Sequence, residues 1–173
     1  MRRSLYQAMH PLTHMTIGAG AAWAARRKIA AVPAGLDYRI AAFGALLPDL
    51  VDKPLKWFLF PDSLPDSHVY GHTLLFSASI IVAGLLLAGV AHHPWLLLVG
   101  FGSLTHPLVD PVVIYPRTLF WPLLGTEFPV AKAIPGYIHI WLDVAIIVYV
   151  AVRWRRSAEF RERARRFVRT GSL

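Results

Sequence analysis

The segment Thr105-His106-Pro107-Leu108-Val109-Asp110 sets an imidazole and a carboxylate four residues apart. On a helix that spacing puts both on one face, where they can converge on a single cation. Proline at 111 disfavours helix at the residue before it, so the helix is expected to end at Asp110. Leu47-Pro48-Asp49-Leu50-Val51-Asp52 forms a second unit. Proline suits the first turn of a helix and carboxylates suit its positive end, and Asp49 and Asp52 point the same way. Capping explains one aspartate; two read as a ligand plus a bridging or supporting carboxylate. The third unit, Ser67-His68-Val69-Tyr70-Gly71-His72-Thr73, chelates through both histidines if helical. Gly71 weakens that helix, which leaves His72 the stronger ligand and His68 equally readable as an interfacial hydrogen-bonder.

Two further pairs repeat these spacings. His10-Pro11-Leu12-Thr13-His14 suggests a helix that starts at Pro11 with His14 inside it. His139-Ile140-Trp141-Leu142-Asp143 repeats His-x3-Asp, and either residue can complete the shell or serve a second ion. His92 and His93 read as turn residues. The bland alternative for each Asp–His pair is a hydrogen bond that caps and glues helices.

These residues must be held by elements suited to a lipid solvent. The 173 residues make room for one domain, 55% of them hydrophobic and 16% charged, against about 25% charged in soluble domains. Cysteine is absent, so any metal must rest on imidazole and carboxylate. The net charge of +8 gathers at the end, with eight arginines and two glutamates from Arg153 to Arg169. The chain therefore divides into a membrane-embedded helical domain, 1–152, and a basic tail, 153–173. Phe160, Ala164, Phe167 and Val168 recur at helical spacing in that tail, as in a helix lying along an anionic leaflet. Nucleic acid is the disfavoured partner, because the neighbouring segment already demands a membrane.

Thr73 to Ala91 is uncharged and 19 residues long, close to the ~20 that span a bilayer. Pro94 to Val109 and Tyr137 to Val152 are the other two expected spans, the first pairing with Thr73–Ala91 as a hairpin. Pro11 to Ala25 is short and rich in small residues that permit close helix packing, and Ile40 to Leu47 meets Pro48. The expected fold is all-α: a small polytopic membrane protein with three transmembrane helices plus one or two shorter or re-entrant ones. A secretory signal over Met1 to Ala25 is the rival reading, opposed by Arg26-Arg27-Lys28 directly after it. The arginine tail orients the C-terminus toward the cytoplasm. His14, Asp49, Asp52, His68, His72, Asp110 and His139 then fall at one outer face, and the aromatic, proline-rich stretch from Ile114 to Gly136 forms an interfacial loop or lid.

In order, Thr13-His14, Leu47 to Asp52, His68 to Thr73, Thr105 to Asp110 and Phe120-Trp121-Pro122 resemble a bacterial family of inner-membrane metal-dependent hydrolases. Some members of that family are described as LexA-binding. The chain departs from the family pattern at Gly71-His72-Thr73, where Thr-His-Ser is usual. The order of ligands is also similar to zinc-dependent phospholipases C, which implies a phosphodiester or lipid-headgroup substrate. The function expected is hydrolysis by water activated on a divalent metal, zinc first. His14, Asp52, His72, His106 and Asp110 are the expected ligands, for one ion or shared between two, and Asp49 is the expected general base or a carboxylate supporting the ligands. His68, His139 and Asp143 are additional candidates. A non-catalytic metal binder or transporter competes with this reading, as does a regulatory membrane protein whose tail captures a cytoplasmic protein.

Overall fold

The computed structural model describes residues 11–28, 36–91, 94–110, 115–130 and 137–172. His10, His92 and His93 lie outside them, as does the side chain of His139. Among the described residues the chain is all-helical: α1 Pro11–Lys28, α2 Tyr38–Gly44, α3 Leu47–Pro54, α4 Leu74–Ala91, α5 Trp95–Val109, α6 Pro116–Leu119, α7 Tyr137–Arg156 and α8 Ala158–Thr170. A wide helical turn, Leu55–Leu59, extends α3.

Helix α5 is the hub: α4, α2, α1 and α3 all pack on it, while α7 joins through α1 and α8 through α7. The core between α1, α2 and α5 is built from small side chains, with Ala19, Ala22, Ala41 and Ala42 around Tyr38 and Leu98. Glycine sets the closest approaches. A Cβ on Gly44 would collide with the Val99 carbonyl, and one on Gly102 with the Ala41 carbonyl. Small residues let helix axes draw together where no long side chain stands between them.

The stretch 40–60 is broken into short helices. It turns between Gly44 and Leu47, and Pro48 opens α3 in the first turn, where its missing N–H leaves nothing unpaired. Asp110 ends α5 with φ −76° and ψ 156°, the extended conformation that a following proline favours. The tail is a helix held against the bundle: Tyr38 N–H donates to the Gly171 carbonyl at 2.8 Å and Arg39 to the Val168 carbonyl at 2.7 Å.

Among the described residues no helix is long and apolar enough to cross a membrane. Helix α4, at 18 residues, measures about 27 Å, a little under the ~30 Å of a bilayer's hydrocarbon core.

Candidate metal centre

Four elements deliver the chemistry to one point. Helix α1 brings His14 and α3 brings Asp49. The loop before α4 brings His72 and His68, and the end of α5 brings His106 and Asp110. His14, Asp49, His72, His106 and Asp110 are all buried, with His72 and His106 fully so.

His72 and His106 are each aimed by the bond at the far nitrogen. His106 donates from Nδ1 to the Ala45 carbonyl at 2.5 Å, and His72 donates from Nδ1 to Asp52 Oδ2 at 2.7 Å. In the neutral rings both Nε2 lone pairs therefore face inward. The two Nε2 atoms stand 3.1 Å apart. Asp110 Oδ2 lies 3.3 Å from His72 Nε2 and 3.2 Å from His106 Nε2. Asp49 Oδ1 lies 3.7 Å from the first nitrogen and 3.9 Å from the second. His14 stacks on His106 at 4.0 Å and sets its Nε2 3.3 Å from Asp110 Oδ1.

A tetrahedral zinc site with arms of about 2.05 Å has ligand–ligand edges of about 3.3 Å, and the nitrogens and Asp110 already stand at that spacing. Three overlapping groups can each hold an ion: His14–His106–Asp110, Asp49–His72–His106 and His68–His72–Asp110. The donor set fits a cation on three counts. Lone pairs meet lone pairs at its centre. Asp49 Oδ1 and His14 Nδ1 are buried without a hydrogen-bond partner. With the histidines neutral, four buried carboxylates (Asp49, Asp52, Asp66, Asp110) against the Lys53 ammonium leave three negative charges, and buried charge persists only when compensated. Burial pushes the His72 imidazole down, but Asp110 and Asp52 outweigh it and raise the group to about 9. The pocket thus draws positive charge.

Asp52 stands outside the three groups because its oxygens are engaged. Val69 N–H and Gly71 N–H each donate to it at 2.8 Å, His72 N–H at 3.3 Å, and His72 Nδ1 adds the fourth bond. The His68–His72 segment is a loop wrapped around this carboxylate rather than a helix. Gly71 permits the wrap, since a Cβ there would sit 2.7 Å from the Pro48 carbonyl. Asp143 accepts from Thr13 N–H at 3.0 Å and from the Thr13 hydroxyl, tying α7 to the start of α1 one residue before His14.

Two residues of the site escaped sequence reasoning. Lys53 is buried and ion-paired with Asp49 Oδ2. Burial pushes the Asp49 carboxyl up, but Lys53, His106 and His72 together hold it below the usual carboxylate range. The signal was an Asp-x3-Lys pair on one helix face. Asp66 holds His68 Nδ1 at 3.1 Å, leaving His68 Nε2 3.7 Å from Asp110 Oδ2. An aspartate two residues before a histidine in a Pro-flanked turn was its only trace.

A family model described as YdjM inner membrane protein matches residues 9–167. The chain belongs to this family. That match covers every residue of the metal-fit groups and places the protein with inner membrane proteins. No curated protein and no solved structure matches the chain.

Proposed function

We propose that this YdjM-family chain is a membrane-embedded, metal-dependent hydrolase acting on a phosphodiester or a lipid headgroup. The observation that carries the reading is the convergence of His72 Nε2, His106 Nε2 and Asp110 Oδ2 at 3.1–3.3 Å, each histidine aimed by a bond behind it. A zinc-type ion held there supplies a Lewis acid and lowers the pKa of water toward about 7.

The chain's own groups divide the remaining work. His72, His106 and Asp110 bind. His14, through its contact with the second oxygen of Asp110, widens the donor set for a second ion. Asp52 fixes the tautomer of His72, the usual role of a carboxylate behind a ligating imidazole. Asp49 stays ionised beside Lys53, and its free Oδ1 serves as a ligand or as proton acceptor for an attacking water. Lys53, paired with Asp49 Oδ2, holds that carboxylate in place with its other oxygen turned to the centre.

What supports embedding is the distribution of polarity. Among the described residues fourteen buried side chains are His, Asp, Ser or Thr against eleven hydrophobic ones, whereas Leu85 and Leu86 of α4 and Trp141, Ile147 and Tyr149 of α7 are more than half exposed. A helix apolar all round belongs in a core or in lipid. We place α4, α5 and α7 across the inner membrane with the C-terminus cytoplasmic; at 15 residues α5 is the shortest of the three, about 22 Å, and asks the most of local bilayer thinning. Transport is the weaker reading: beyond the Ser77–Ser103 hydrogen bond of 2.9 Å, the α4–α5 contact turns apolar toward Ala91.

The test is zinc-dependent turnover of bis(4-nitrophenyl) phosphate by detergent-purified protein, alongside metal analysis. Turnover that needs the metal and vanishes in His106→Ala supports the proposal. Bound metal with no turnover of diester, monoester or phospholipid leaves a binder and ends the hydrolase reading.

A further inference from the structure

At the opposite end of α1 from His14 lies a second concave site. Arg26 follows His14 by twelve residues, about 18 Å along a helix axis. A cleft of about 610 Å³ opens there between the last turn of α1, the start of α2 and the inner face of α8, a size within the ~300–1,000 Å³ of ligand pockets. Its wall carries Arg26, Arg27, Arg163 and Arg166 against Glu159 and Glu162, a positive excess of two. Glu159 is already ion-paired with Arg163.

The cleft is built by the fold. Helix α8 is capped at Ser157, whose hydroxyl accepts from Phe160 N–H at 3.1 Å, and Phe167 packs against the α1–α2–α5 core. The Gly171–Tyr38 and Arg39–Val168 bonds close its far end. On the facing wall the Arg27 guanidinium sits over the Trp23 ring at 4.9 Å, a contact that holds a guanidinium in place without using its donors on a carboxylate. Planar guanidinium forks match phosphate oxygens two at a time. Tryptophan, tyrosine and arginine together are also the residues found at the headgroup level of a cytoplasmic leaflet.

We infer that this cleft binds a phosphate-bearing anion, gripped by Arg27 and Arg166 across the α1–α8 gap. The ligand is either the headgroup of an anionic phospholipid or a free phosphate ester. The site is independent of the metal centre and of any hydrolysis there.

The experiment is equilibrium binding to the full-length chain in an uncharged detergent. The probes are short-chain phosphatidylglycerol, inorganic phosphate, and short-chain diacylglycerol as the phosphate-free control. Arg27→Gln with Arg166→Gln is expected to weaken phosphatidylglycerol binding by about tenfold or more. Arg165→Gln, whose guanidinium lies over Trp154 at 6.0 Å and away from the cleft, should leave it within about twofold, as expected of a remote surface charge. Glu162→Gln removes a negative charge from the wall and should tighten binding, which keeps the inference testable if the double variant misfolds. Phosphate binding as well as the lipid identifies a phosphate ester as the ligand; lipid binding alone identifies the headgroup. Equal loss in Arg165→Gln, equal binding of diacylglycerol, no binding of either phosphate probe, or no tightening in Glu162→Gln overturns the inference.

Discussion

At the residue scale the metal centre depends on pairs: a nitrogen that faces inward and a bond behind it that makes it do so. His72→Ala and His106→Ala each remove a donor from two of the overlapping groups, and both are expected to abolish metal retention, read by elemental analysis. Asp52→Asn keeps the shape but replaces the anion behind His72. A supporting carboxylate of this kind is typically worth about 10–100-fold in metal affinity, so chelator competition should show a loss of that order with metal still bound at saturation. Full retention of affinity in Asp52→Asn would mean that His72 is not a ligand. The sequence assigned Asp52 to the metal and Asp49 to the base because two carboxylates at i, i+3 look alike in one dimension. What distinguishes them is the Val69–His72 loop, whose backbone N–H groups engage Asp52 and leave Asp49 Oδ1 bare.

At the element scale the helices meet through glycine and alanine. Gly102→Val is expected to be severe, because its Cβ would overlap the Ala41 carbonyl at the α2–α5 crossing. Overpacking of this kind costs about 1–3 kcal/mol or more, and a lower melting temperature with loss of metal would follow as α5 shifts His106. The α8 dock offers a gentler test. Asp37 caps α2 by accepting from Arg39 N–H at 3.0 Å and holds the Arg39 guanidinium. Its hydrogen bond to Arg39 keeps the carboxyl below its ordinary value of 3.8, against the opposing effect of burial. A lowered value in the folded state means that the contribution is present above pH 3.8 and lost as pH falls through the folded value. Asp37→Ala should remove about 1 kcal/mol of cap energy and expose the chain near Ser157 to protease at neutral pH. In the unchanged chain the same cleavage should appear only in acid. The expected helices over 73–91, 94–109 and 137–152 correspond to α4, α5 and α7 within a few residues at most of their ends, since a long, mostly apolar run permits little else. The 40–60 region resisted, because a turn at Gly44 is dictated by what Gly44 touches on α5.

For the whole molecule the proposed three-span arrangement is tested by asking which face lies on which side of the inner membrane. The chain has no cysteine, so single introduced thiols report position without background. Leu123, 84% exposed in the loop after α6, should label as Leu123→Cys with a membrane-impermeant maleimide added outside the inner membrane. Arg169→Cys in α8 should label only after permeabilisation. Labelling of both from one side would remove the three-span arrangement, and a reversed pattern would invert it.

The sequence by itself determined the helical class, the lipid-suited composition and the short-range pairs, His106 with Asp110 above all. Those depend on spacing along a chain whose helical period is known in advance. Only the tertiary structure decided that His14, Asp49, His72 and Asp110 share one centre, that the Asp52 oxygens are taken up by the Val69–His72 loop, and that the basic tail folds back to form a cleft. Each of those outcomes depends on helix crossings between residues tens of positions apart, set by the absence of a Cβ at Gly44, Gly71 and Gly102. A missing atom leaves no periodic mark in a sequence, yet it determines how close two backbones come.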